Sequence, residues 1–145
     1  MKRLNRPLVT QETIKAMEDM SFFTHAMIFD DLLIIAQRET SCFVLWTTDG
    51  LIIIDAIWPA RPAFDAIVNA ISDAGWGGCP VKKLLLTHGH VAHTGCGRWL
   101  AERYRLKTYL SETDDVFWQE HPAKPDRPET WKDYRIDCYI KDKDT

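Results

Sequence analysis

The sequence predicts an α/β fold, and three observations carry that expectation. Runs rich in β-branched and aromatic residues fill positions 26–56, an amphipathic helical pattern follows them, and strand-like and helix-like segments then alternate. At 145 residues the chain has room for one domain with a core of its own and not for two.

Taken in order, "TQETIKAMEDM" predicts a short surface helix. Thr10 can cap it, Glu12 suits its first turn, and Ile14, Met17 and Met20 recur at helical spacing. Residues 1–24 are read as an N-terminal segment holding that helix, ahead of a domain at 25–145. The runs "AMIFDDLLIIAQ" and "CFVLWTTDGLIIIDAI" predict strands at about 26–36, 42–48 and 51–56, with Asp49-Gly50 as a two-residue hairpin turn. Pro59 and Pro62 suit a helix start, and Phe64, Ile67, Val68 and Ile71 keep the i, i+3, i+4, i+7 pattern until Gly75 ends it. "VKKLLLT" then reads as a buried strand, "GCGRWLAERY" as a helix and "LKTYLS" as a strand. The segment "WQEHPAKPDRPETWKDY", with its three prolines, reads as an irregular surface excursion before "DYRIDCYIKDKDT" returns to strand.

Charge and composition exclude several function classes. A net charge of -3 provides no basic footprint for nucleic acid or an anionic membrane, and neither partner is expected. No apolar window is long enough to span a bilayer, and the N-terminus lacks the apolar core of an export signal, so a soluble cytoplasmic protein is expected. Cys42, Cys79, Cys96 and Cys138 are scattered without a CxxC pair, which fits reduced thiols better than a disulfide set.

The densest chemistry lies in "LLLTHGHVAHTG", residues 84–95, which holds His88, His90 and His93, three of the chain's five histidines. They follow a buried strand and lead into a helix, the end of an open α/β sheet where ligand sites collect. His88 and His90 are one residue apart and can point the same way on an extended loop. Gly89 between them lets the backbone turn tightly, and His93 returns to the same place. Imidazole is the commonest zinc ligand near neutral pH, so three converging rings point to a metal site. The alternative is that each ring is an ordinary loop residue.

"GLIIIDA" at 50–56, followed by a helix and then "LLLTHGHVAHTG", resembles the metallo-β-lactamase superfamily, whose signature is a strand ending in Asp and a downstream THxHxDHxG. "KTYLSETDD" and "YRIDCYIKDKD" resemble the elements that follow, with a flavour closest to subclass B3 and its relatives. The resemblance runs from about His25 to the end of the chain. It implies one half of a four-layer αββα sandwich, with a mixed sheet and flanking helices, and a zinc-dependent hydrolase activity using one or two ions. His88 and His90 then correspond to two histidines of the first zinc site and His93 to a ligand of the second. Asp55 corresponds to an acid that orients the loop, since a ligating imidazole usually gives its other N–H to a carboxylate or carbonyl. Read by itself, Asp55 is equally a turn acid ending a strand.

Two departures set expectations for activity. The motif aspartate is Ala92 here, and a methyl group neither coordinates a metal nor accepts a hydrogen bond. The family's third first-site histidine, bridging carboxylate and last histidine lie beyond the stretch this sequence matches, and His121 corresponds to none of them. The resemblance therefore implies a metal-dependent hydrolase that is incomplete or impaired as this chain alone. The competing expectations are a non-catalytic member serving binding or assembly, or an unrelated α/β domain with incidental histidines. A half sandwich would leave residues such as Phe43, Leu45, Ile52 and Ile54 on an open apolar face, so a homo-oligomer or a complementary C-terminal half is expected to cover it. Lactams, thioesters, lactones and phosphodiesters are all cleaved on this fold, so the motif names no substrate beyond a small molecule.

Overall fold

A computed structural model describes residues 6–120, 131 and 135–141. Among them, seven strands form one mixed sheet in the order β1 to β7. Strands β1 (Thr24–Phe29), β2 (Leu32–Gln37), β3 (Thr40–Thr47) and β4 (Gly50–Ile54) form an antiparallel meander. From β4 the sheet turns parallel through β5 (Val81–Leu85), β6 (Lys107–Ser111) and β7 (Cys138–Ile140). Helix α2 (Arg61–Asp73) makes the crossover from β4 to β5. Helices α3 (Val91–Thr94) and α4 (Gly97–Tyr104) make the next, and α5 (Glu112–Glu120) follows β6. This is the mixed α/β sheet with flanking helices that the sequence predicts.

Two details of the meander differ from the sequence reading. The apolar run at 26–36 is two strands, because Phe29 pairs with Leu32 across a tight turn at Asp30 and Asp31. Apolar residues on both sides conceal that turn, and two adjacent aspartates mark it. In the β3–β4 hairpin the turn residues are Thr48 and Asp49, while Gly50 already pairs with Thr47. Gly50 sits at φ +131°, and a Cβ there would run into the Pro80 carbonyl oxygen and the Lys82 side chain. It is a glycine for reasons of both dihedral and space.

Most of the core lies on one face of the sheet. Leu33, Ile35, Val44, Leu51, Ile53 and Leu84 pack there against Phe64, Ile67 and Ile71 of α2 and Leu100 of α4. The helical spacing read from the sequence is the buried stripe of α2, with Val68 half-buried at its margin and Gly75, at φ +80°, beyond its end. The predicted N-terminal helix is α1 (Gln11–Asp19), and the Thr10 hydroxyl accepts from Thr13 N at 3.1 Å. It is more than a surface helix. Met17 is buried with Ile28, Ile34 and Ala36 in a second cluster on the opposite face, and Phe43 packs against that cluster. Register places Leu45, Ile52, Ile54, Leu85 and Tyr109 farther along this second face, all half-buried.

In the predicted excursion, residues 118–120 belong to α5, with Trp118 buried, and Trp131 is buried beside it at a ring-centroid distance of 5.7 Å. A buried tryptophan pair contradicts a purely surface reading of those positions. Residues 121–130, His121 among them, lie outside the described residues. No helix among the described residues is long and apolar enough to cross a membrane.

Candidate functional site

β4 and β5 are parallel neighbours, so the segments leaving their C-terminal ends emerge side by side. They are stitched together by backbone bonds: Asp55 N donates to Leu85 O at 2.9 Å, Ala56 N to His93 O at 2.7 Å and Cys96 N to Ala56 O at 3.2 Å. Gly95 permits this approach, because a Cβ there would collide with the backbone of Ile57 and Trp58. Asp55 and Ile57 both adopt left-handed backbone, at φ +65° and +53°. That is costly for a β-branched residue such as Ile57, by about 1–2 kcal/mol.

The Asp55 carboxylate organises the histidine loop. It is 6% exposed. Its Oδ1 accepts from Thr87 N at 2.8 Å, and its Oδ2 accepts from the Thr87 hydroxyl at 2.8 Å and from His93 Nδ1 at 3.0 Å. The single hydroxyl proton of Thr87 thus goes to Asp55, and its oxygen accepts from His88 Nδ1 at 2.9 Å. Both His88 and His93 are thereby held as Nδ1–H tautomers with the Nε2 lone pair free. Orientation by an outer hydrogen bond is what a metal-ligating imidazole requires.

The three rings cluster. The His88 centroid lies 4.8 Å from that of His90 and 4.2 Å from that of His93. His88 and His90 follow β5, His90 caps α3 and His93 lies within it. Partial burial, and then the neighbouring His93 and His90, push the pKa of His88 below the ordinary histidine value, outweighing Asp55 and Asp114. This neutral form is the one that donates a lone pair.

Zinc is the ion that the motif implies for these donors. They fit in kind and in tautomer. They do not fit in number, since among the described residues no group of three His, Cys, Asp or Glu side chains is arranged to hold a metal ion. Ala92 stands between His90 and His93 without a donor side chain, and its carbonyl oxygen accepts from Thr40 Oγ1 at 2.6 Å.

Three contributors escape a reading of the sequence. Thr87 links Asp55 to His88, and its place just before the first histidine was the available signal. Asp114 Oδ1 accepts from Gly89 N at 3.3 Å, and Trp118 Nε1 donates to Gly89 O at 3.1 Å, so α5 clamps the loop. Nothing local announces those two, 25 and 29 residues downstream. Gly89 does not supply a turn at positive φ. It supplies space, because a Cβ would sit 2.8 Å from the Trp118 ring nitrogen.

The family model of the metallo-beta-lactamase superfamily matches residues 36–141, which include Asp55 and the whole histidine loop. The chain belongs to the metallo-β-lactamase superfamily. Solved metallo-β-lactamases share its fold. It is similar to BJP-1, a subclass B3 enzyme of Bradyrhizobium japonicum, at 21% identity over 91% of this chain and 50% of that one, with a TM-score of 0.69. It is similar to GOB-18 from Elizabethkingia meningoseptica at 20% identity, with 88% and 50% covered and a TM-score of 0.70. A Cronobacter sakazakii metallo-β-lactamase matches at 16% identity over 94% and 50%, with a TM-score of 0.69. This superfamily chain therefore spans about half the length of the structures it matches. No curated protein matches it.

Proposed function

We propose that this chain carries the histidine-bearing half of a zinc-dependent hydrolase site and that, alone, it is an impaired catalyst. The observation behind this reading is the Asp55 carboxylate, which holds His93 directly and His88 through Thr87. That frame fixes which ring nitrogen of each histidine is left for a metal, as an outer hydrogen bond to a ligating imidazole does. A zinc ion supplies a Lewis acid and lowers the pKa of bound water toward ~7, given three protein ligands and an open position. The part this chain's own residues play is to engage Nδ1 of His88 and of His93, which leaves Nε2 of each ring for the ion. Four unpaired thiols support a reducing, cytoplasmic setting for it.

Ala92 favours a second reading, a superfamily fold kept for binding or assembly after catalysis was lost. Zinc retained after dialysis, in the wild type and in a His88→Ala/His90→Ala variant, separates the two. The hydrolase reading expects measurable zinc in the wild type and background zinc in the variant, with thioester, lactone and lactam hydrolysis near background in both. Equal zinc in both proteins removes the metal site and leaves the binding reading.

Under either reading, the half-buried face at Leu45, Ile52, Ile54, Leu85 and Tyr109 is proposed to be covered by a second copy of the chain or by a complementary half-domain. Burying apolar area contributes about 25 cal/mol per Å². Sedimentation of the purified chain is expected to show a dimer or larger species. A monodisperse monomer that binds no hydrophobic dye would count against coverage.

A further inference from the structure

A concavity of about 340 Å³ is lined by Phe23, Gln37, Arg38, Trp58, Ala60 and Pro62. Its walls are mostly apolar and aromatic, and its polar groups are mostly donors. Arg38 has no ion-pair partner among the described residues. The Trp58 indole N–H is buried without an acceptor. Gln37 has its amide nitrogen committed to Ser21 O at 2.7 Å. Arg38 is exposed and free to meet a ligand, whereas the Trp58 N–H is a buried unpaired donor, which costs about 1–3 kcal/mol until something satisfies it.

The cleft is built rather than incidental. Arg38 and Glu39 are the two left-handed residues of the β2–β3 hairpin, at φ 49° and 64°. That hairpin is pinned by Arg38 N to Met20 O at 3.2 Å and Glu39 N to Glu18 O at 2.7 Å. Both walls are also tied to the histidine loop. Thr40, two residues after Arg38, donates to Ala92 O, and the backbone of Trp58 packs on Gly95.

We propose that this cleft binds a small carboxylic acid with an apolar body and presents it to the histidine loop. The guanidinium fork takes the carboxylate, for which its planar donors are suited, and Phe23, Trp58, Ala60 and Pro62 take the apolar part. The volume lies at the low end of small-molecule sites, which suits a body of one or two rings. Presentation to the loop rests on the hydrolase reading above, whereas binding does not.

The test uses the full chain, metal-free and 15N-labelled, titrated with phenylacetate and with its neutral analogue phenylacetamide while the indole N–H and histidine ring signals are followed. A Trp58→Phe variant assigns the indole signal. Phenylacetate is expected to shift Trp58 and to bind about 10-fold more tightly than phenylacetamide. Arg38→Gln should remove that preference, and Arg38→Lys should keep part of it. Equal binding of the two probes, or an unchanged preference in Arg38→Gln, overturns the carboxylate site. Signals of His88, His90 or His93 should move on binding. Movement of Trp58 with no histidine response would separate the cleft from the loop and overturn presentation. Because no metal is added, a failure of zinc binding does not affect this result.

Discussion

Ala92→Asp is expected to raise zinc affinity by about 10-fold or more while leaving hydrolysis near background. The site now offers neutral imidazoles, of which His88 and His93 are already oriented by Asp55. A carboxylate between His90 and His93 adds a hard anionic donor to a frame that is in place. Retaining an ion is less demanding than catalysis, which also needs an open coordination position and a placed water. Zinc stoichiometry after dialysis, measured side by side with a thioester, lactone and lactam assay, reads both effects. Ala92→Asn controls for size, since its amide offers no negative charge, and it should gain much less zinc. Equal and negligible zinc in the wild type and both variants would show that the loop does not bind metal. Robust turnover by the wild type would show that its own residues suffice for catalysis.

Asp55→Asn should separate folding from site assembly, and Asp55→Ala should damage both. Asparagine tolerates the left-handed backbone that residue 55 adopts, whereas alanine does so poorly. The amide also keeps one oxygen for Thr87. Its nitrogen then faces His93 Nδ1 as a donor, which forces that ring into the Nε2–H tautomer and removes its free lone pair. Zinc affinity is expected to fall about 10–100-fold in Asp55→Asn, with a stability loss of about 1–2 kcal/mol. Alanine leaves Thr87 N, the Thr87 hydroxyl and His93 Nδ1 without their acceptor, and a loss of about 2–4 kcal/mol in denaturant unfolding is expected. The His93 tautomer can be read from ring 15N shifts. An unchanged tautomer and unchanged zinc affinity in Asp55→Asn would sink the orienting role.

Much of this molecule is local in origin and was therefore legible. The α2 stripe of Phe64, Ile67 and Ile71 follows from helical period, and the Thr10 cap from residue type. The β3–β4 hairpin follows from turn residues to within one position, whereas Asp30 and Asp31 interrupted an apolar run without a glycine or proline to mark the break. The histidine loop was also legible, because its three rings lie within six positions of one another and the motif includes Asp55 at a characteristic distance.

Tertiary structure decided what those residues do together. Asp55 read as a turn acid or an orienting group with equal ease until the parallel pairing of β4 and β5 brought its carboxylate to Thr87 and His93, 32 and 38 residues away. Gly89 suggested a tight turn, but its function is to make room for Trp118, a residue that only the packing of α5 places there. The cleft of Phe23, Arg38 and Trp58 has no sequence pattern at all, since its walls come from three separate segments. Periodicity and capping are written in neighbouring residues, because backbone geometry repeats every two or 3.6 positions. Contacts between distant segments depend on sheet order and crossover, so they exist only once the chain has folded.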